Sequence, residues 1–79
     1  MDRTLKGVRW VTTPTHSRDE GWTAIELRAT RAEKTARVAR AVFWDAEGQY
    51  AIETTDGEVP LVVMEQLIAE VRAVVGELP

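Results

Sequence analysis

Between residues 22 and 30 the chain alternates: Thr23, Ile25, Leu27 and Ala29 fall on one side, and Ala24, Glu26 and Arg28 on the other. Period two with one apolar face is the pattern of a half-buried strand. A weaker alternation over 5–13 puts Val8 and Trp10 on one side of a first strand, which Pro14 is expected to end. Residues 14–21 are polar, contain Pro and Gly, and read as a surface loop.

Segment 30–44 supports two readings. Thr30 and Glu33 match a capping box, with Ala32, Ala36, Ala39 and Phe43 at helical spacing. Val38, Val42 and Trp44 instead alternate with Arg37, Ala39, Ala41 and Phe43, and β-branched and aromatic residues gather toward the end. That enrichment favours a strand over 36–45. A loop of Ala46, Glu47 and Gly48 would then close a hairpin, with Gly48 at the left-handed position. This register sets Trp44 opposite Tyr50 and Val42 opposite Ile52. It gives Trp44, Val42, Val38, Tyr50 and Ile52 to the core and leaves Phe43, Ala41, Ala39 and Ala51 on the other face. A loop one residue longer or shorter exchanges Phe43 for Trp44.

The final pattern is helical, over 59–76. Pro60 suits a first turn, Asp56 and Glu58 precede it, and Gly76 is a stop signal. Met64, Leu67, Ile68, Val71, Val74, Val75 and Leu78 make one stripe. The fold class expected is α+β: an antiparallel sheet of three to four strands with one C-terminal amphipathic helix packed on one face. The domain layout is an N-terminal strand and polar loop (1–21), a β-meander (22–55) and the helix.

At 79 residues the chain holds one small domain, burying roughly 60% of its unfolded surface, so a partner or second copy adds weight to its stability. With no cysteine there is no disulfide, thiolate site or Cys nucleophile, and the cytoplasm is the default compartment. No signal peptide or membrane span is read, nor any repeat. Residues 1–40 carry nine of the ten bases and a balance of +4, whereas 41–79 carry −7. Unless the halves interleave, two electrostatically different surfaces follow.

Catalytic chemistry finds little support. His16, Ser17 and Asp19 lie too close in sequence for a triad, which is assembled from distant segments. No second His or Cys completes a metal set around His16, Asp19 and Glu20, and no glycine-rich loop marks a cofactor phosphate. No enzyme activity, metal or cofactor is expected. Arg28, Arg31, Lys34, Arg37 and Arg40 recur every third residue and form the candidate set for nucleic-acid binding, against which the sequence pI of about 5.1 argues.

Three Trp residues, with Phe43 and Tyr50, exceed what one helix can cover on one face of a sheet. An exposed apolar patch built from Phe43, Ala41, Ala39, Ala51 and Trp22 is therefore expected. Trp22, Phe43, Ala41, Arg28 and Arg37 are the candidate partner-binding residues, for a larger protein or for self-association. The stretch "FWDAEGQYAIE", with Asp45, Gly48 and Tyr50, resembles the start of HicB-type antitoxins, but the Pro-rich loop and strand that those proteins place before the helix are missing. Size and Ala, Val and Arg-rich composition also suit inhibitors carried by phages and other mobile elements, such as anti-CRISPR proteins. The function expected is a non-enzymatic protein-interaction module, with nucleic-acid binding as the alternative.

Overall fold

The computed structural model describes residues 1–55 and 57–76. Five strands, β1 (Asp2–Leu5), β2 (Val8–Ser17), β3 (Trp22–Arg31), β4 (Lys34–Trp44) and β5 (Gln49–Thr54), precede the helix α1 (Leu61–Gly76). The strands form one antiparallel meander in sequence order, and α1 lies against β3 and β4. The α+β class and the C-terminal helix are as expected; the sheet has five strands rather than three or four.

The extra strand arises because 5–13 is broken by a two-residue turn at Lys6 and Gly7, both at positive φ. That is the type I′ geometry, whose twist matches that of the strands it joins, and Gly7 adopts it without a Cβ clash. Pro14 does not end β2. Thr12 N–H donates to Met1 C=O, so the nitrogens of Thr12 and Pro14, two apart, both point toward the β1 side. There β1 has run out of partners, and the missing proline N–H breaks no ladder bond. The expected loop 14–21 shrinks to a turn over residues 18–21.

Segment 30–44 holds no helix: of the capping-box residues, Thr30 lies near the end of β3 and Glu33 in the two-residue turn that leads into β4. The β4–β5 loop has four residues, not three. Gly48 N–H donates to Trp44 C=O at 2.9 Å, and the register pairs Trp44 with Gln49 and Phe43 with Tyr50. One residue of slip moves every side chain to the other face. Phe43, Ala41 and Ala39 therefore lie under the helix, while Trp44 and Val42 lie on the face without one. Ala41 and Ala39 are each only 2% exposed and Phe43 is half-buried, which removes them from the expected exposed patch.

The core joins Trp10, Ile25, Leu27, Ala29, Ala39 and Ala41 of the sheet to Val63, Leu67 and Val71 of α1, with Met64, Val74 and Val75 at its margin. Val63, absent from the expected stripe, is fully buried, and Ile68 is half-buried. Pro60 stands just before α1, its C=O accepting from Met64 N–H at 3.0 Å. Leu78 and Asp56 lie outside the described residues. Among the described residues no helix is long and apolar enough to cross a membrane.

The second two-residue turn is chemically costly. Ala32 and Glu33 sit at φ 47° and 67°, where a Cβ costs about 1–2 kcal/mol per residue. The double substitution Ala32→Asn, Glu33→Gly, supplying the residues this turn prefers, should stabilise the fold by about 1 kcal/mol. Thermal unfolding should show Tm rising by about 4–8 °C.

Candidate protein-recognition face

The sheet face away from α1 is arranged in cross-strand rows. One row reads Ser17, Trp22, Trp44 and Gln49; the next reads Thr15, Ala24, Val42 and Ala51; the third reads Thr13, Glu26, Arg40 and Glu53. Further along lie Asp2, Val11, Arg28 and Arg37, and then Thr4, Arg9, Thr30 and Thr35. Ala24 and Val42 are 0% exposed although no helix covers them. The Arg40 guanidinium lies 4.7 Å from the centroid of Trp22, so ring and side chain meet across the row that holds Ala24 and Val42. A guanidinium this close to an indole face is held by the ring quadrupole.

Trp22 is fixed at both ends, since its indole N–H also donates to Glu20 at 3.1 Å. Arg40 in turn donates to Glu53 at 2.8 Å, and its side chain is only 16% exposed. The aliphatic part of Arg40 thus roofs apolar residues while its charge is neutralised at the rim. Arg40 shares the face away from α1 with Val42 and Trp44.

A register shift in β4 arranges the remaining charges. Leu27 pairs with Ala39 but Arg28 pairs with Arg37, so Val38 is an extra residue. Such a bulge resets the alternation, and it returns Arg37 to the face that carries Arg28 and Arg40. Glu26 accepts from Arg28 at 3.2 Å and from Arg37 at 3.3 Å. The Arg28 hydrogen bond, followed by that of Arg37, holds the Glu26 carboxyl below its ordinary range. Asp2 is lowered in the same way, chiefly by its hydrogen bond from Arg9.

Of the candidate partner residues, Trp22, Arg28 and Arg37 share this open face, while Phe43 and Ala41 belong to the helix side. Phe43 lies 5.0 Å from Tyr50, ring centroid to ring centroid. The five-cation run is likewise divided. Arg28, Arg37 and Arg40 are paired with carboxylates, and Arg31 and Lys34 flank the β3–β4 turn, Arg31 with its guanidinium 6.0 Å from the Trp10 ring. The charge halves interleave in part, since the Arg40–Glu53 pair joins them.

His16 and Ser17 are successive strand residues whose side chains point to opposite faces, and Ser17 Oγ accepts from Glu20 N–H at 3.2 Å. They do not form a catalytic pair. No cluster of three His, Cys, Asp or Glu suited to a metal occurs among the described residues. The Arg40–Trp22 stack was the feature sequence reasoning missed. Its only signal was the spacing of Arg40 and Trp22 around the β3–β4 hairpin, which becomes informative once the register is known.

Comparison of the chain with protein-family models, with curated proteins and with solved structures finds no match. The likeness of residues 43–53 to HicB-type antitoxins therefore carries no family assignment.

The lowered Glu26 pKa has a testable sign. The unfolded chain takes up this proton at higher pH than the folded chain, so the contribution is present above the unfolded carboxylate pKa and is lost as pH falls through the folded one. Urea midpoints of the native chain should exceed those of Glu26→Gln near neutrality, and the gap should close in acid.

Proposed function

We propose that this chain is a non-enzymatic recognition module that engages a larger protein through the open face of its sheet. The observation that carries the reading is the Trp22–Arg40 stack. A large ring and a guanidinium are held in fixed positions on a flat, uncovered face, anchored by Glu20 and Glu53. Trp and Arg dominate binding hot spots, and a side chain ordered before binding loses less entropy on contact. The surrounding threonines and the Glu26 cluster supply a polar rim. An inhibitor of the anti-CRISPR or antitoxin kind falls within this class, supported by size and composition alone.

Nucleic-acid binding through Arg28, Arg31, Lys34, Arg37 and Arg40 is the weaker reading, because three of the five are committed to carboxylates. A phosphate backbone would have to compete with Glu26 and Glu53 for them.

Chemical cross-linking in source cells, followed by mass spectrometry, identifies the partner. Trp22→Ala should then weaken the purified complex by about 30-fold or more, the scale of a 2 kcal/mol hot spot. Unchanged affinity in a folded Trp22→Ala chain would reject the open face. In a mobility-shift assay at low salt, where phosphate contacts are strongest, neither single-stranded nor duplex DNA or RNA should be retarded.

A further inference from the structure

We propose that the free edge of β5 is a homodimer interface, in which two copies pair β5 with β5 antiparallel and join their five-stranded sheets into one. An exposed strand edge is a template for another chain, and edges that stay unpaired are blunted by charge, proline or irregularity. The sheet has four free-edge stretches, of which the one in β4 that β5 does not reach carries Lys34 and Arg37. β1 carries Asp2 and Arg3 within four residues. β2 beyond Thr12 presents the ring of Pro14, which cannot donate. β5, "QYAIET", has no proline, no lysine and no break in its pairing with β4.

The backbone of β5 is aimed outward at defined residues. Thr55 N–H, just past the strand, donates to Val38 of β4 at 3.1 Å. Donors two apart point the same way, so Ala51 and Glu53 face β4 whereas Tyr50 and Ile52 offer their N–H and C=O groups to the free edge. Tyr50 and Ile52 are also the exposed large apolar side chains of the sheet, at 41% and 40%. They border a groove of about 170 Å³ that continues onto Ile68 and Arg72 of α1, with the Arg72 guanidinium 5.3 Å from the Tyr50 ring.

These facts select a second copy and a register. A two-fold axis at Ala51 sets Tyr50 opposite the partner's Ile52 and makes that contact twice, as isologous interfaces do. Outward-facing backbone groups then meet at both Tyr50–Ile52 pairs. Gln49 falls opposite the partner's Glu53, an amide donor against a carboxylate, and no like charges face each other. Moving the axis to Ile52 sets Ile52 against the partner's Ile52 but places Tyr50 against the partner's Thr54, so one apolar pair replaces two. The dimer leaves the Trp22–Arg40 face uncovered, so it stands or falls independently of the recognition reading.

The test uses the whole chain. Sedimentation should give twice the 8.9 kDa of one chain. Since there is no native cysteine, Ala51→Cys reports on the register directly: opposed residues at such a non-hydrogen-bonded pair have Cβ atoms about 4.5–5.5 Å apart. Mild oxidation should convert Ala51→Cys to a covalent dimer, while Gln49→Cys stays uncrosslinked. Ile52→Lys should abolish the dimer while the helical circular dichroism remains. A native chain that sediments as a monomer up to its solubility limit overturns the proposal. So does preferential cross-linking of Gln49→Cys, or a folded Ile52→Lys that still dimerises. Should Ile52→Lys not fold, the two cysteine variants decide.

Discussion

One helix must shield a five-stranded sheet, and this mismatch between cover and surface governs the rest of the molecule. α1 seats Val63, Leu67 and Val71 against a floor in which Ala29, Ala39 and Ala41 alternate with the larger Trp10, Ile25 and Leu27. Small residues under the helix let its backbone approach closely, and large ones around them fill the space beside it. A buried Leu or Val contributes about 1.5–3 kcal/mol, so this contact is the main source of stability for both layers. The other face has no second helix, and the sequence handles it with local means.

Those local means explain an otherwise odd combination of side chains. Burying Ala24 and Val42 without a helix requires something long and flat lying parallel to the sheet. Trp22 supplies the flat body, and Arg40 the long stem with a head that stays charged beside Glu53. The bulge at Val38 adds Arg37 to the same face, so Glu26 is held between Arg28 and Arg37. Together these contacts make a preordered polar surface with one aromatic platform. Surfaces of that kind suit recognition, because little remains to be ordered on contact.

How much of this was legible in the sequence depended on whether a feature was set by period or by turn length. The faces of β3 and the existence of the helix followed from periodicity, which depends only on nearby residues. The strand at 34–44 was readable from its Val, Phe and Trp, despite the capping-box letters. The assignment of Phe43 and Trp44 to faces was not, because it hangs on one residue in the loop before Gln49. One break and one continuation were also hidden. Lys6–Gly7 does not carry the usual Asn-Gly signature of a tight hairpin, and Pro14 gives the same letter whether it ends a strand or lines a free edge. The Arg40–Trp22 stack depends on the β3–β4 pairing, so it emerged only with that register.

The same shortage of cover accounts for the edges. A helix lying over β3 and β4 reaches both sheet margins only partly. At the β1 margin the Met1 amino group and Thr12 Oγ1 converge on Glu70, and Arg3 reaches Gln66 at 3.0 Å, so polar contacts close the gap. At the β5 margin the side chains facing α1 include Tyr50 and Ile52, and Arg72 stacks on Tyr50 across the gap. A margin closed by an ion pair and hydrogen bonds presents little apolar area for a further partner to cover. A margin left with apolar side chains and outward-facing backbone groups gains from one on both counts, since the same pairing removes apolar area from water and completes a ladder. The asymmetry between the two margins thus follows from which residues the meander delivers to each side of one narrow helix.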